Sequence, residues 1–89
     1  GSTIGSNVII NTGSIIEHDC IIESHSHIAT GARLCGTVHI GENTHIGAGA
    51  TILQNIRIGS NVIVGAGSVV LEDIGSNSIV AGVPAIPIK

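Results

Sequence analysis

Aliphatic residues recur at a fixed interval of six along most of this chain. From position 4 to position 70, every sixth residue is isoleucine, leucine or valine without exception. These anchor positions are Ile4, Ile10, Ile16, Ile22, Ile28, Leu34, Ile40, Ile46, Ile52, Ile58, Val64 and Val70. A period of six fits neither an amphipathic helix nor a simple alternating strand. Repeats of this length are typical of coiled parallel β architectures.

Two further positions of each hexad have a constant character. The third residue after each anchor is nearly always of a type that tolerates left-handed backbone angles: Asn7, Gly13, Asp19, His25, Gly31, Thr37, Asn43, Gly49, Asn55, Asn61 and Gly67. The fourth residue is small or β-branched: Val8, Ser14, Cys20, Ser26, Ala32, Val38, Thr44, Ala50, Ile56, Val62 and Ser68. We therefore expect a turn in every hexad, followed by a second inward-facing side chain.

Three flat faces joined by three corners make a closed coil of eighteen residues. Residues eighteen apart then stack at roughly 4.8 Å, the spacing of paired strands, and the anchors form three internal ladders. The pattern predicts an all-β parallel β-helix of about four to five triangular coils, in a single domain over residues 1–89. Regular hexads cover 4–70, the register breaks at 71–73, and a tail over 81–89 caps the end, where two prolines cannot donate ladder hydrogen bonds.

Composition narrows the classes of function. The chain has no Phe, Trp, Tyr or Met although 43% of it is hydrophobic, so the core must consist of aliphatic ladders. The net charge is −3 with only three basic residues, which argues against nucleic-acid binding. No apolar run approaches the length of a membrane span and no signal peptide is visible, so we expect neither membrane insertion nor export. Cys20 and Cys35 fall in different columns, so we expect no disulfide and a cytoplasmic location.

The residue before each anchor points outward, and its polarity is uneven. Some of these positions are aliphatic: Ile9, Ile15, Ile21, Ile63 and Val69. Others are basic or imidazole side chains: His27, Arg33, His39, His45 and Arg57. Exposed aliphatic columns on so small a protein indicate an oligomer interface.

One corner carries groups suited to proton transfer. His18 and Asp19 are adjacent there, and imidazole titrates closest to neutral pH, so His18 is a candidate general base that Asp19 can orient. The alternative is a turn residue beside an exposed histidine. Gly36 lies eighteen residues after His18. It leaves room above the imidazole and offers an N–H to an oxyanion, unless it is simply a turn glycine.

Another corner is built only of small residues. They are Thr12-Gly13, Thr30-Gly31, Ala48-Gly49 and Ala66-Gly67. Glycine at a turn needs no function, but the small residue before each glycine adds a smooth wall along the helix axis. Such a wall suits a slender thioester arm held by backbone groups.

Together these motifs resemble one family of enzymes. The run Ile16-Glu17-His18-Asp19-Cys20, the later His27 and Gly36, and the ending Ala81-Gly82-Val83-Pro84-Ala85 are similar to those of bacterial hexapeptide-repeat sugar acetyltransferases. This branch includes the UDP-4-amino-sugar N-acetyltransferases and the sialic acid O-acetyltransferases. The resemblance implies a left-handed parallel β-helix, a homotrimer with active sites between subunits, and acetyl-CoA as co-substrate without a metal.

The resemblance also implies residue roles. His18 is the proton acceptor, Asp19 raises its basicity, and His27, Ala48 and Ala66 line the acetyl-CoA site. With Gly36 above the base, the acetyl group passes directly to an amine or hydroxyl of a sugar or sugar nucleotide. This sequence departs from the family pattern in two respects. The N-terminal nucleotide-binding-like domain of the family is not in this sequence, and Ile86 stands where the family tends to have a basic residue after Gly-Val-Pro-Ala.

Two other functions remain as alternatives. γ-Type carbonic anhydrases share the fold and hold zinc with three histidines between subunits. This chain has five histidines, but no two of them are five apart, as that family requires. The other alternative is a truncated or engineered β-helix that keeps the fold without activity, which the absence of aromatic residues and the unbroken hexads favour.

Overall fold

Fourteen short strands form three sheets over residues 1–89, all of which the computed structural model describes. Sheet A contains β1 (Thr3–Ile4), β4 (Ile21–Ile22), β7 (His39–Ile40) and β10 (Arg57–Ile58). Sheet B contains β2 (Ile9–Ile10), β5 (His27–Ile28), β8 (His45–Ile46), β11 (Ile63–Val64), β13 (Ile79–Gly82) and β14 (Ala85–Pro87). Sheet C contains β3 (Ile15–Ile16), β6 (Arg33–Leu34), β9 (Thr51–Ile52) and β12 (Val69–Val70). Successive strands visit the three sheets in turn, so the chain is a triangular parallel β-helix.

The pairing register confirms the coil of eighteen residues. Thr3 lies beside Ile21, and Ile9 lies beside His27, both eighteen apart. The backbone N–H of Ile9 donates to the carbonyl of Ser26 at 3.0 Å, and the same pattern repeats from coil to coil. Each coil therefore hydrogen-bonds only to the coils directly before and after it.

Every predicted turn position has a left-handed backbone. All eleven residues that lie three after an anchor between 7 and 67 have positive φ values, between 56° and 74°. Seven of them are not glycine, among them Asp19 at 57° and Thr37 at 60°. The repeated turn is thus imposed by the coil, and the side chain at this position is chosen for what the left-handed region allows.

The core consists of the predicted ladders. The anchors from Ile22 to Val70 are all fully buried, and so are the second inward positions of the central coils, such as Val38 and Val62. The first anchors are less buried: Ile4 is 44% exposed and Ile10 is 41% exposed. The hydrophobic prism is therefore closed along its sides.

The regular stacking changes near the end of the chain. Ile74 pairs with Ile58, and Ile79 pairs with Ile63, so the offset falls from eighteen to sixteen. After this shortened corner, β13 and β14 form an antiparallel hairpin in which Gly82 pairs with Ala85. The hairpin occupies the free edge of sheet B. None of the elements is a helix, so none could serve as a helical membrane span.

Candidate active site

The corner between sheets C and A, called here the histidine corner (17–20, 35–38 and 53–56), presents the candidate base. The His18 and Asp19 side chains are 69% and 62% exposed, and His18 Nδ1 lies 3.2 Å from Asp19 Oδ2. An ionised carboxylate only accepts hydrogen bonds, so the shared proton belongs on Nδ1 of a neutral ring. The lone pair is then on Nε2, which is the nitrogen that a general base uses.

The electrostatics of Asp19 fit this arrangement. The hydrogen bond from His18 lowers the pKa of Asp19 below its ordinary value. Asp19 is therefore ionised at neutral pH and can hold the imidazole through Nδ1.

Gly36 lies directly against the imidazole of His18. A Cβ added to Gly36 would be 2.6 Å from His18 Cε1 and would also overlap Nε2. The backbone of Gly36 is not left-handed, because the positive φ of this turn belongs to Thr37. Gly36 lies in the turn, but the left-handed position of that turn does not require a glycine at 36, and the His18 ring leaves no room for a side chain there.

The backbone of Gly36 also offers a free donor. Its carbonyl accepts from the N–H of Asn55 at 3.0 Å, whereas its own N–H donates to no acceptor in the chain. Gly36 as a whole is a buried residue. The N–H belongs to the residue that the His18 ring contacts one coil away, which makes it a candidate oxyanion donor.

The turn that carries the base is held by its neighbours on both sides. The Ser2 hydroxyl accepts from the N–H of Cys20 at 3.0 Å and donates to the carbonyl of Glu17 at 3.2 Å, so it joins the two ends of the turn. On the next coil, the N–H of Thr37 donates to the carbonyl of His18 at 2.9 Å. Ser2 was missed in the sequence, although it stands eighteen residues before Cys20 in the same column.

A second polar group lies on the outer face of sheet B. His27 Nε2 is 3.3 Å from Asn11 Nδ2, and its ring meets that of His45 edge to face, with centroids 4.8 Å apart and an interplanar angle of 79°. Burial lowers the pKa of His45, and the proximity of His27 adds to this effect. Asn11 was also missed in the sequence, because its contact with His27 runs diagonally between coils instead of along a column.

The corner between sheets B and C, called here the glycine corner (11–14, 29–32, 47–50 and 65–68), is bare. Ala48 and Ala66 are exposed, and the glycine after each has a φ of 70°. A Cβ added to Gly49 or Gly67 would meet nothing within 4 Å. The row is thus an unobstructed wall beside the His27 column.

One chain places the candidate residues in two separate groups. His18, Asp19 and Gly36 are together at the histidine corner. His27 and the alanines of the glycine corner lie across sheet C from them.

Other polar groups and the surface depression lie elsewhere. His39 Nε2 contacts Glu23 Oε2 at 2.5 Å, and Arg57 donates to His39 Nδ1 at 3.0 Å on sheet A. A depression of about 230 Å³ is at the end of the helix. Its lining is Glu72, Asp73, Ile74, Gly75, Ser78, Ala85, Ile86 and Pro87, and it contains no candidate site residue. No three His, Cys, Asp or Glu side chains of the chain cluster as metal ligands do.

Comparison with known proteins reveals both a family and structural relatives. The profile described as "Bacterial transferase hexapeptide (six repeats)" matches residues 1–36 and again 37–72. A histidine variant of perosamine N-acetyltransferase from Caulobacter crescentus, in complex with CoA and GDP-perosamine, superposes with a TM-score of 0.98. It is 38% identical, and the match covers 99% of this chain and 42% of that one.

Two further solved structures are similar over the same range. The acetyltransferase domain of PglB from Neisseria gonorrhoeae, in complex with acetyl coenzyme A, has a TM-score of 0.90 and 39% identity, over 98% of this chain and 45% of that one. Serine acetyltransferase from Neisseria gonorrhoeae has a TM-score of 0.94 and 36% identity, over 99% of this chain and 38% of that one. The chain thus spans about two fifths of the length of these proteins. A coil of opposite hand would not superpose so closely, so the expected left-handed parallel β-helix is confirmed.

Proposed function

Because this chain belongs to the bacterial transferase hexapeptide family, we propose that it is the catalytic β-helix of an acetyl-CoA-dependent acetyltransferase. The acceptor is an amine or a hydroxyl of a sugar or sugar nucleotide. The observation that carries the proposal is the environment of the His18 ring. Its Nδ1 is hydrogen-bonded to Asp19, and its Nε2 lies against Gly36, whose N–H has no acceptor in the chain. The similar structures of perosamine N-acetyltransferase and the PglB domain, bound to CoA and acetyl-CoA, support the reaction class.

In the first step, His18 Nε2 takes the proton of the acceptor as its nitrogen or oxygen attacks the thioester carbonyl carbon. Asp19 accepts the hydrogen bond from Nδ1, so its negative charge stabilises the imidazolium that forms. Both side chains are largely exposed, which leaves the free nitrogen accessible to an acceptor arriving from solvent.

In the second step, the tetrahedral intermediate collapses. Its oxyanion is stabilised by the N–H of Gly36, the carbon–sulfur bond breaks, and His18 returns its proton to the departing CoA sulfur. No covalent enzyme intermediate is needed, because the acceptor attacks the thioester directly. The products are the acetylated acceptor and free CoA.

The donor arm belongs beside His27 on the glycine corner. The exposed Ala48 and Ala66 leave the backbone accessible over two coils, which allows a narrow pantetheine chain to lie along the axis. Its amide groups can pair with backbone groups there, while a larger side chain at either alanine would block the path.

We propose that the active form is a homotrimer. The proposed acetyl-CoA site at the glycine corner and the base His18 lie on different corners of one chain. In the trimer, a neighbouring chain would bring its histidine corner to this glycine corner. Sheet B also presents exposed aliphatic side chains on either side of its histidines, Ile9 at 56% and Ile63 at 48%. Analytical ultracentrifugation at micromolar concentration should give a stable trimer, and a stable monomer would contradict this assembly.

A second class of acceptor substrate is also supported by the structural comparison. The 36% identity with serine acetyltransferase, close to the 38% and 39% of the sugar enzymes, favours a small amino-acid hydroxyl as the second candidate. CoA release measured with a 4-amino sugar nucleotide and with L-serine, at equal concentration, separates the two. Turnover with serine alone would replace the sugar acceptor.

The base is tested by His18→Ala together with acetyl-CoA titration. We expect kcat to fall by about 10²–10⁴-fold, the range for removal of a general base, with little change in thermal stability because the side chain is exposed. Isothermal titration should still show one acetyl-CoA site per chain. The matched His27→Ala variant should weaken that binding, and full activity in His18→Ala would exclude His18 as the base.

A further inference from the structure

The ring of His27 is held by a side-chain amide whose orientation is itself fixed. Asn11 Oδ1 accepts a hydrogen bond from the N–H of Thr12 at 3.2 Å. The oxygen end of the amide is thereby turned toward the backbone of the glycine corner. The amide nitrogen, Nδ2, is left facing His27 Nε2 at 3.3 Å.

This orientation decides where the proton of His27 lies. An amide NH2 group only donates hydrogen bonds, so Nε2 must act as the acceptor. A neutral imidazole has one donor and one acceptor nitrogen, so its proton is then on Nδ1. A proton on Nε2 would oppose the amide hydrogens at hydrogen-bond distance, which disfavours the other tautomer of the neutral ring.

The remaining neighbours of His27 do not reverse this preference. On β2 the paired residues are the uncharged Ile9 and Ile10. On β8 the only titratable side chain is His45, whose ring meets His27 edge to face. The only polar partner of His27 in the chain is Asn11, and Nδ1 has none. The free Nδ1–H is thus available for a ligand.

We propose that Asn11 is a positioning residue that fixes His27 in the Nδ1–H tautomer. His27 then offers a hydrogen-bond donor beside the glycine corner, where acetyl-CoA is proposed to bind. Its ligand partner must then be an acceptor. Among the groups of an acyl thioester this means a carbonyl oxygen, of either the thioester or an arm amide, and not an N–H. The ligand half of this inference rests on the proposed function, whereas the tautomer does not.

The tautomer is measured directly on the protein without ligand. Long-range ¹H–¹⁵N NMR of ¹⁵N-histidine-labelled protein, at about pH 8 where imidazoles are neutral, distinguishes a protonated ring nitrogen from an unprotonated one. His27→Gln assigns the signals. We expect the proton of His27 on Nδ1, and a proton on Nε2 would overturn the proposal.

Asn11→Asp provides the reversed case. A carboxylate accepts where the amide donated, so the proton of His27 should move to Nε2. Asn77→Asp is the matched control, since it adds the same charge at a turn residue whose side chain makes no hydrogen bond, and it should leave the His27 signals unchanged. If Asn11→Asp keeps the proton on Nδ1 in a folded protein, Asn11 does not set the tautomer. Asn11→Ala, which removes the amide without adding charge, should give a mixture of both tautomers.

The ligand half is tested by calorimetric titration with acetyl-CoA. Wild type should bind, and Asn11→Asp should raise Kd about tenfold, the equivalent of one hydrogen bond. Equal affinity with a reversed tautomer would refute the contact between Nδ1–H and the ligand. Absence of binding in wild type would refute the proposed donor site and with it the ligand half, while the NMR result would decide the tautomer independently.

Discussion

The histidine corner and the glycine corner follow the same backbone rule and differ in every side chain that matters for chemistry. In the glycine corner, glycine occupies the left-handed position, with φ values of 70–74°. In the histidine corner that position belongs to Asp19, Thr37 and Asn55, while the glycine, Gly36, stands one residue earlier with an ordinary backbone. The same residue type thus satisfies the backbone in one corner and makes room for the ring of the candidate base in the other.

The contrast is tested most strongly by adding one methyl group to each corner. Gly36→Ala places a Cβ within the His18 ring, so the imidazole must turn away, and we expect kcat to fall by about 10–100-fold, since misplaced groups lose catalytic effect steeply. Stability should change by less than about 1 kcal/mol, because the exposed ring can move into solvent.

Gly67→Ala is the counterpart in the glycine corner. The added Cβ meets open space, but φ at 70° disfavours alanine, so the free energy of unfolding should drop by about 1 kcal/mol. Denaturant unfolding of both variants, with steady-state kinetics of the first, checks the pair. A larger loss of stability in Gly36→Ala than in Gly67→Ala would contradict the distinction drawn between the two glycines.

Asp19→Asn separates the two tasks of the left-handed residue in the histidine corner. Asparagine tolerates the φ of 57°, so the turn should persist, whereas the negative charge beside His18 is lost. We expect kcat to fall about three- to tenfold at neutral pH with KM nearly unchanged, as measured by initial rates. An unchanged kcat would show that Asp19 serves the turn alone.

The smallest expected effect is the pH dependence of stability that His45, beside the glycine corner, should cause. Burial, aided by His27, lowers its pKa in the folded protein below the unfolded value of 6.5. The unfolded chain therefore binds more protons as the pH falls through this range, so stability is complete at higher pH and declines below about 6.5. Denaturant midpoints at about pH 7.5 and 5.5 should show a small decrease at acid pH.

His45→Gln provides the comparison for that measurement. Glutamine is polar and uncharged at both pH values, so the difference between the two midpoints should shrink. The other histidines are unchanged in this variant and contribute equally to both proteins. An identical difference in wild type and variant would assign the acid sensitivity to another group.

The fold was predictable because the sequence pattern that specifies it is repeated along most of the chain. Each hexad repeats an inward anchor, a left-handed residue and a small inward residue, and the structure obeys all three. The spacing of eighteen residues also predicted that Gly36 stacks on His18 in the next coil, which the structure confirms. What repeats in the sequence is thus what the backbone requires.

Other features depend on the reach of individual side chains and were not predictable. Asn11 meets His27 sixteen residues away, and Ser2 joins both ends of a turn one coil later. The contact of Asn11 and that of Ser2 with Glu17 lie outside the eighteen-residue column, whereas the contact of Ser2 with Cys20 follows it. The sequence pattern predicted Thr37 as the left-handed residue, but only the structure shows how closely the His18 ring approaches Gly36.

The hairpin of β13 and β14 also limits how far the sheets can extend. A stack of parallel coils is in effect a fibril one molecule wide, whose free edge can accept a further strand. At one end of sheet B that edge is taken by an antiparallel strand, in which Pro87 has no N–H to donate to an incoming strand. The hairpin therefore protects this edge of sheet B against end-to-end polymerisation.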